Sequence, residues 1–397
     1  MRKLLVISVI ACLLLSAVGC TSKQAHLPAV TPEGTHITND DHTTTTPPSD
    51  TELSTCAIVL PSIKESVTAE DGTTLFSLSF QQIQLLLSDP LLEEKILGDL
   101  QTRNGSILSQ AEEAENQARA DYPQSELWSE YFIDISYTPT RLDNTVLSLF
   151  CNSVSYRGGP HPSVVTDSVT YDLETGDELW LDDILAPECT SDTLLQLILQ
   201  KLTEQQDALY YDYAEALSER FSDNLHNVRG WYFSQRGLCF HFTPYDIAPY
   251  SSGTIIAELP YDTLDGILKE KYVPVATSAA TGSIYAESYS IEANERFDSI
   301  LNVTLCENAD EVLLYADALV TDLRIEVGWR YAENDQYIPR STVFAANIMN
   351  IGQAIHLTSD LNDEEMLLRI IYHADGQEYS SFITYDTLAN SISLSNY

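Results

Sequence analysis

Two short segments concentrate the side chains best suited to recognising a ligand. The first, Ser155-Tyr156-Arg157-Gly158-Gly159-Pro160-His161-Pro162, lies between two stretches of strand character. Its paired glycines permit positive backbone torsions, and its prolines stiffen the chain just beyond them. The second runs Phe242-Thr243-Pro244-Tyr245-Asp246-Ile247-Ala248-Pro249-Tyr250-Ser251-Ser252-Gly253, again between strands. Tyrosine loses little entropy on ordering, so a proline-stiffened tyrosine loop makes a good contact surface. The candidate ligand-contacting residues are Tyr156, Gly158, Gly159, His161, Pro162, Tyr245, Pro249 and Tyr250. Each segment also has a plainer reading. His161 can satisfy local backbone groups in its turn, and the Tyr245–Gly253 loop can close a sheet.

Other chemistry finds less support. His241 shares a face with Cys239 on an alternating strand, opposite Leu238, Phe240 and Phe242. Two such residues hint at a metal, but packing explains them more economically. Asp182-Asp183 and Glu112-Glu113 read as solvated faces rather than catalytic carboxylates. The stripe Leu323, Ile325, Val327, Trp329, Tyr331 reads as core. No nucleophile elbow, phosphate loop or dinucleotide fingerprint occurs. No catalytic residue, metal site or cofactor is therefore expected. Five cysteines follow Cys20: Cys56, Cys151, Cys189, Cys239 and Cys306. Odd in number, scattered and without a Cys-x-x-Cys pair, they exclude a zinc knuckle or a disulfide-dense scaffold. Buried free thiols are expected for most, with one or two disulfides left open.

The start of the chain speaks to location. Arg2 and Lys3 precede an apolar run from Leu4 to Leu15, then Ser16-Ala17-Val18-Gly19-Cys20. This is the pattern of a secretory signal peptide over residues 1–19, too short to span a bilayer. Ala17-Val18-Gly19-Cys20 resembles the bacterial lipobox, although the usual leucine is Ala17 here. The resemblance implies a lipidated Cys20, a membrane anchor and a location on the extracytoplasmic face of the cell membrane. The other reading is an ordinary signal cut nearby, which leaves a free protein. A net charge of −39 argues against DNA or RNA as partner and permits steering of basic proteins or peptides.

The elements that must position the two segments can be placed from periodicity. Residues 20–55, with ten threonines and four prolines, form a tether that cannot bury enough surface to fold. A strand is predicted at Cys56–Pro61 and helix from Pro90 to Tyr122, divided at Gly105. A strand over 165–173 places Val165, Val169, Tyr171 and Leu173 inward, with Thr166, Ser168, Thr170 and Asp172 outward. The turn Glu174-Thr175-Gly176-Asp177 leads into Leu179-Trp180-Leu181 as a hairpin. Helices over 192–206 and 210–225 precede strands at 231–234, 238–242 and 254–259, and Tyr261–Leu268 reads as a short closing helix. Short alternating strands after residue 283 suggest a small sandwich. The expected fold is α+β, a mostly antiparallel sheet with packed helices followed by an all-β sandwich-like domain.

At these segments the sequence resembles a known family. Tyr-x-Gly-Gly-x-His-Pro, then Asp-Leu-x-Thr-Gly, then Tyr-Asp-Ile-Ala-Pro-Tyr-x-x-Gly and Pro-Tyr-x-x-Leu occur in order. They fall at Tyr156, Gly158, Gly159, His161, Pro162, Asp172, Leu173, Thr175, Gly176, Tyr245, Ala248, Pro249, Tyr250, Gly253, Pro260, Tyr261 and Leu264. The pattern is similar to the extracytoplasmic domain shared by RsiV-like anti-sigma factors that sense lysozyme and PdaC-like peptidoglycan deacetylases. It implies a helical companion module at 56–140 and an RsiV-like α+β domain at 141–272, leaving the sandwich at 283–397.

The function that the resemblance implies is binding. The sequence offers neither a cytoplasmic sigma-binding segment nor a deacetylase metal pattern. The expectation is a non-enzymatic, membrane-anchored binding or sensing lipoprotein. Its ligand would be an extracellular basic protein such as lysozyme, a peptide or peptidoglycan. The alternatives are a wall-acting enzyme with a site at an inter-domain cleft, or a structural envelope lipoprotein.

Overall fold

Alternating side chains dominate the sequence, and strands dominate the computed structural model. It describes residues 55–395, apart from residues 125–126, 223, 276–279, 307–308, 332–335, 362–365 and 387–390. The expected signal segment, Cys20 and the tether up to residue 54 lie outside the described residues. The chain runs β1 (Cys56–Val59), β2 (Ile63–Thr68), β3 (Thr74–Phe80), β4 (Ile83–Leu86), α1 (Pro90–Asp121), β5 (Tyr131–Leu142), β6 (Val146–Tyr156) and β7 (Ser163–Asp172). Strands β2-β3-β5-β6-β7 form one sheet in that order. Its β3–β5 pair is parallel, which demands a long crossover; α1 supplies it.

Helix α1 begins where Asp89 caps it, its carboxylate accepting from the Leu91 amide at 2.9 Å, with Pro90 in the first turn. The expected division at Gly105 does not occur; the helix runs unbroken for 32 residues. A mid-helix glycine costs only about 1 kcal/mol. Burial of Ile96 and Leu100 on one side, and of Ala111, Ala114 and Ala118 on the other, outweighs that.

Next come α2 (Leu181–Ile184), α3 (Ser191–Leu202), α4 (Tyr213–Ser222), β8 (Trp231–Phe233), β9 (Gly237–Phe242) and β10 (Ile255–Pro260). The last three make a small antiparallel sheet. The Glu174–Asp177 turn forms as expected, bringing the Asp172 amide to the Asp177 carbonyl at 2.9 Å. Only a bridge between Tyr171 and Glu178 succeeds it, because the chain turns at once into α2. The closing helix expected over Tyr261–Leu268 is a single 3-10 turn, Tyr261–Thr263.

Val169 and Tyr171 of β7 are buried as expected, but its first residues and its opposite face need correction. Val165 is 53% exposed, whereas Thr166 and Thr170 are buried. The polar face of β7 packs against the small sheet, and hydroxyl bonds replace apolar contact there. Ser168 Oγ donates to the Trp231 carbonyl at 2.7 Å, and Ser148 Oγ accepts from the Phe233 amide at 3.0 Å. Arg141, 1% exposed, adds a further lock. Its guanidinium donates to Asp143, to the Tyr261 hydroxyl (2.7 Å) and to the Tyr272 carbonyl (2.6 Å), and lies over the Phe233 ring.

The remainder holds β11 (Ile284–Ser288), β12 (Ser299–Thr304), β13 (Asp310–Ala316), β14 (Val320–Tyr331), β15 (Gln336–Met349), β16 (Gln353–Ser359), β17 (Met366–Ala374), β18 (Gln377–Asp386) and β19 (Ser391–Ser395). Two sheets, β19-β18-β17-β14-β15-β1-β4 and β11-β13-β16-β12, share one core that includes Leu323, Ile325, Phe344, Val312, Leu314 and Ile355. Strands β1 and β4 belong to this sandwich, with Cys56 opposite Ala346. Residues 56–140 are thus divided between two sheets rather than forming a separate helical module. The Leu323–Tyr331 stripe is core only in part. Leu323 and Ile325 are buried, but after register shifts beyond Ile325 and Val327, Trp329 is 39% exposed with Arg340 over its ring. The architecture is mixed α+β with several largely antiparallel sheets. Among the described residues no helix is long and apolar enough to cross a membrane.

Candidate functional site

The two segments singled out in the sequence are the β6–β7 turn and the β9–β10 loop, from different sheets. Polar locking of those sheets brings them together. Gly158 and Gly159 take φ +86° and +114°, torsions that side chains with a Cβ rarely adopt. They reverse the chain so that Pro160 and His161 project from the turn, and the Tyr156 hydroxyl donates to the Gly159 carbonyl at 3.0 Å. The second loop is held by the Tyr245 amide donating to the Ala248 carbonyl (2.9 Å) and the Thr243 amide donating to Asp246 (3.1 Å). Pro249 then starts a 3-10 turn at Tyr250. Tyr245 itself has φ +80°, an unfavourable torsion for a bulky residue that the surrounding bonds hold in place.

His161 stands where the turns meet. Its Nδ1 lies 2.7 Å from the Pro162 carbonyl oxygen, which can only accept, so Nδ1 carries the proton in the neutral ring. Nε2 then accepts from the Tyr245 hydroxyl at 3.0 Å. The ring stacks on Tyr250, centroids 3.9 Å apart and planes at 26°. Tyr245 and Tyr250 are 5.9 Å apart, centroid to centroid. His161 and Tyr245 are exposed and Tyr250 half-buried, so three rings form an outward-facing platform with imidazole and phenol polar groups. Tyr156 belongs instead to an aromatic layer with Phe132 and Tyr131 beneath the first turn. Pro162 and Pro249 shape the backbone, and the glycines supply only torsion. Of the eight candidates, His161, Tyr245 and Tyr250 are the ones whose rings meet in the outward-facing platform.

His241 is placed very differently. It is 3% exposed and sits between the two sheets. Nδ1 is 2.9 Å from Thr166 Oγ1 and Nε2 is 3.0 Å from Ser168 Oγ. Because Ser168 donates to Trp231, it must accept from Nε2–H, and Nδ1 accepts from Thr166. Thr243, 3.1 Å from Thr166, completes the relay as its donor. Burial, and after it the charge of Arg220, lowers the His241 pKa to about 4, so the ring stays neutral. This is a packing histidine.

The five cysteines are free thiols. Burial above all pushes Cys56, Cys151 and Cys239 up to about 12, which leaves them poor nucleophiles. Asp182 pairs with His226 at 3.0 Å on the surface, away from the platform residues' contacts. Among the described residues no group of three or more His, Cys, Asp or Glu side chains could hold a metal ion.

A further concavity lies outside both turns. Between α1 and the sheet lies a cleft of about 350 Å³, lined by residues that include Arg103, Tyr137, Arg157 and Asp167. Its signal was present: Gln101 to Ser106 is a polar stretch of α1, and Cys151, Ser153 and Ser155 alternate along β6 with Arg157 just past its end.

Residues 182–262 match a family described as "Protein of unknown function (DUF3298)". The match spans α2 to β10 and includes the Tyr245–Gly253 loop but not the Gly158–Pro162 turn. A solved member of that family from Bacteroides fragilis is 18% identical, with a TM-score of 0.41 over 54% of this chain and 94% of that chain. A second, from Pseudomonas aeruginosa, is 17% identical, with a TM-score of 0.38 over 55% of this chain and 97% of that one. No curated protein matches. The chain therefore carries a DUF3298 domain within a larger mixed α+β fold.

Proposed function

We propose that this chain is a non-enzymatic, extracytoplasmic recognition protein, held at the membrane through Cys20, with an RsiV-like module that binds through its paired turns. The observation that carries this reading is the meeting of His161 with Tyr245 and Tyr250. Residues some 84 positions apart form one exposed aromatic platform on two stiff turns. Stiff turns lose little entropy on binding, and aromatic rings supply contact area for protein side chains or sugar faces. The net charge of −39 favours a basic partner such as lysozyme, with wall glycan as the other ligand of the right chemistry. Attraction of that kind weakens as salt rises, because the Debye length falls from about 10 Å at 0.1 M to about 3 Å at 1 M.

The test is retention of lysozyme and of wall glycan by the immobilised full chain, against the double variant His161→Ala/Tyr250→Ala. The reading expects wild type to retain at least one of them saturably and the variant to lose it. Equal retention by both chains, or retention of neither ligand by wild type, contradicts it.

A further inference from the structure

Helix α1 touches its sheet at two ends and stands off in the middle. Its fully buried residues stop at Leu100 and resume at Ala111, with half-buried Ile107 and Leu108 packed before the second group, and they feed two separate apolar cores. A packed helix normally closes such a gap, because a void forfeits contact energy. Here the gap is crossed by polar struts, the Tyr137 hydroxyl donating to Asn104 Oδ1 at 2.6 Å and Arg157 to the Gln110 carbonyl at 3.2 Å. The remaining space is the 350 Å³ cleft, within the size range of small-ligand sites.

The cleft has a direction. Along β6 the side chains of Cys151, Ser153, Ser155 and Arg157 alternate onto it. At one end Asp167 stands opposite Cys151 across the β6–β7 pair. Among the described residues its side chain accepts one local hydrogen bond, from the Ser168 amide at 2.8 Å, and makes no ion pair. At the other end Arg157 donates to the Gln110 carbonyl at 3.2 Å, and its nearest carboxylate, exposed Glu113, is 3.9 Å away. Arg103, by contrast, is already neutralised by Asp99 at 2.7 Å and Glu178 at 2.5 Å. One exposed carboxylate without an ion pair among the described residues and one guanidinium paired only at 3.9 Å therefore mark the two ends. Six residues of strand separate their levels, about 20 Å at ~3.3 Å per residue.

We propose that this cleft binds a short extended peptide of about three to five residues, with its free amino end at Asp167 and its carboxylate at Arg157. An extended chain of that length covers roughly 10–17 Å, which the reach of the two charged side chains completes. Ser153 and Ser155 face its peptide groups, and Ile107 and Val165 take apolar side chains. A single small anion would use Arg157 alone and leave Asp167 and the apolar walls idle. The cleft shares Ser155 and Arg157 with the β6–β7 segment but none of the three platform rings, so a variant confined to those rings tells the two readings apart.

The experiment is affinity selection by the full chain from a random pentapeptide library with free ends, read by mass spectrometry, followed by titration of the enriched sequences. Saturable enrichment is expected, with at least a tenfold loss of affinity on acetylating the amine or amidating the carboxylate. Arg157→Gln and Asp167→Asn should each cost at least tenfold with unchanged melting temperature, and Ser155→Trp should block the cleft. Tyr250→Ala should leave peptide affinity unchanged. No enrichment, or equal binding of capped and free peptides, overturns the proposal. So does binding that Arg157→Gln and Asp167→Asn leave untouched, or binding of inorganic phosphate at Arg157 in place of peptide.

Discussion

Two histidines, His161 and His241, use both ring nitrogens yet serve opposite ends. His241 sits in a closed relay, Thr243 to Thr166 to His241 to Ser168 to the Trp231 carbonyl, sealed between two sheets. His161 is fixed just as firmly, by the Pro162 carbonyl and the Tyr245 hydroxyl, but on the surface. The comparison shows that hydrogen bonding alone does not separate a buried packing residue from one on an exposed surface. The difference lies in where the ring faces end up. The His241 ring contributes to docking of the sheets; the His161 ring stacks on Tyr250 and otherwise stays open to solvent.

The sharpest way to test the structural half of this contrast is to attack the locks between the sheets. Arg141→Ala removes a buried guanidinium and strands Asp143, and should destabilise the fold by about 3–5 kcal/mol in chemical denaturation. A cost below about 1 kcal/mol would mean that the two sheets dock without it.

The pH dependence of His241 comes next in size. Its folded pKa of about 4 lies below the ordinary value of 6.5, so the native state excludes the proton. The stabilisation is complete above about pH 6.5 and is lost as pH falls from there towards 4, because the unfolded chain then binds the proton first. At about 1.4 kcal/mol per pH unit, the loss reaches about 3 kcal/mol by pH 4. Denaturation midpoints measured across that window should flatten in His241→Gln; an unchanged slope would remove His241 from the lock.

The turn itself separates two glycines. Gly158→Ala meets both a positive φ and the Tyr131 hydroxyl, 2.9 Å from the new Cβ, and should cost about 2 kcal/mol. Gly159→Ala meets open space and should cost about 1 kcal/mol from torsion alone. Thermal unfolding of the two variants side by side checks the order. Smallest in stability are His161→Ala and Tyr250→Ala, each expected within about 1 kcal/mol of wild type. Their effect should appear in ligand retention instead.

The sequence made some of this legible and hid the rest for physical reasons. Glycine and proline punctuate locally, so both turns and the Glu174–Asp177 reversal could be read directly. That the turns meet depends on sheet docking, which no local pattern encodes. Alternation located β7 and its buried Val169 and Tyr171, but not that Thr166 and Thr170 on the opposite face are buried too, among hydroxyls. Gly105 suggested a break because propensity is local, whereas α1 is held by packing at its two ends. The pairing of Cys56 with Ala346 joins residues near opposite ends of the chain. The cleft needed α1, β6 and β7 in place before Arg157 and Asp167 could be seen to share it.

The most direct measurement of the central claim tracks the two histidine rings together. Side-chain NMR of the full chain, assigned with His161→Ala and His241→Gln, is recorded while lysozyme and, in parallel, soluble wall glycan are titrated in. The expected result is a saturable shift of the His161 ring signals with at least one ligand while His241 stays still. If neither ligand moves His161, or if both rings move together, the paired turns are not a recognition surface.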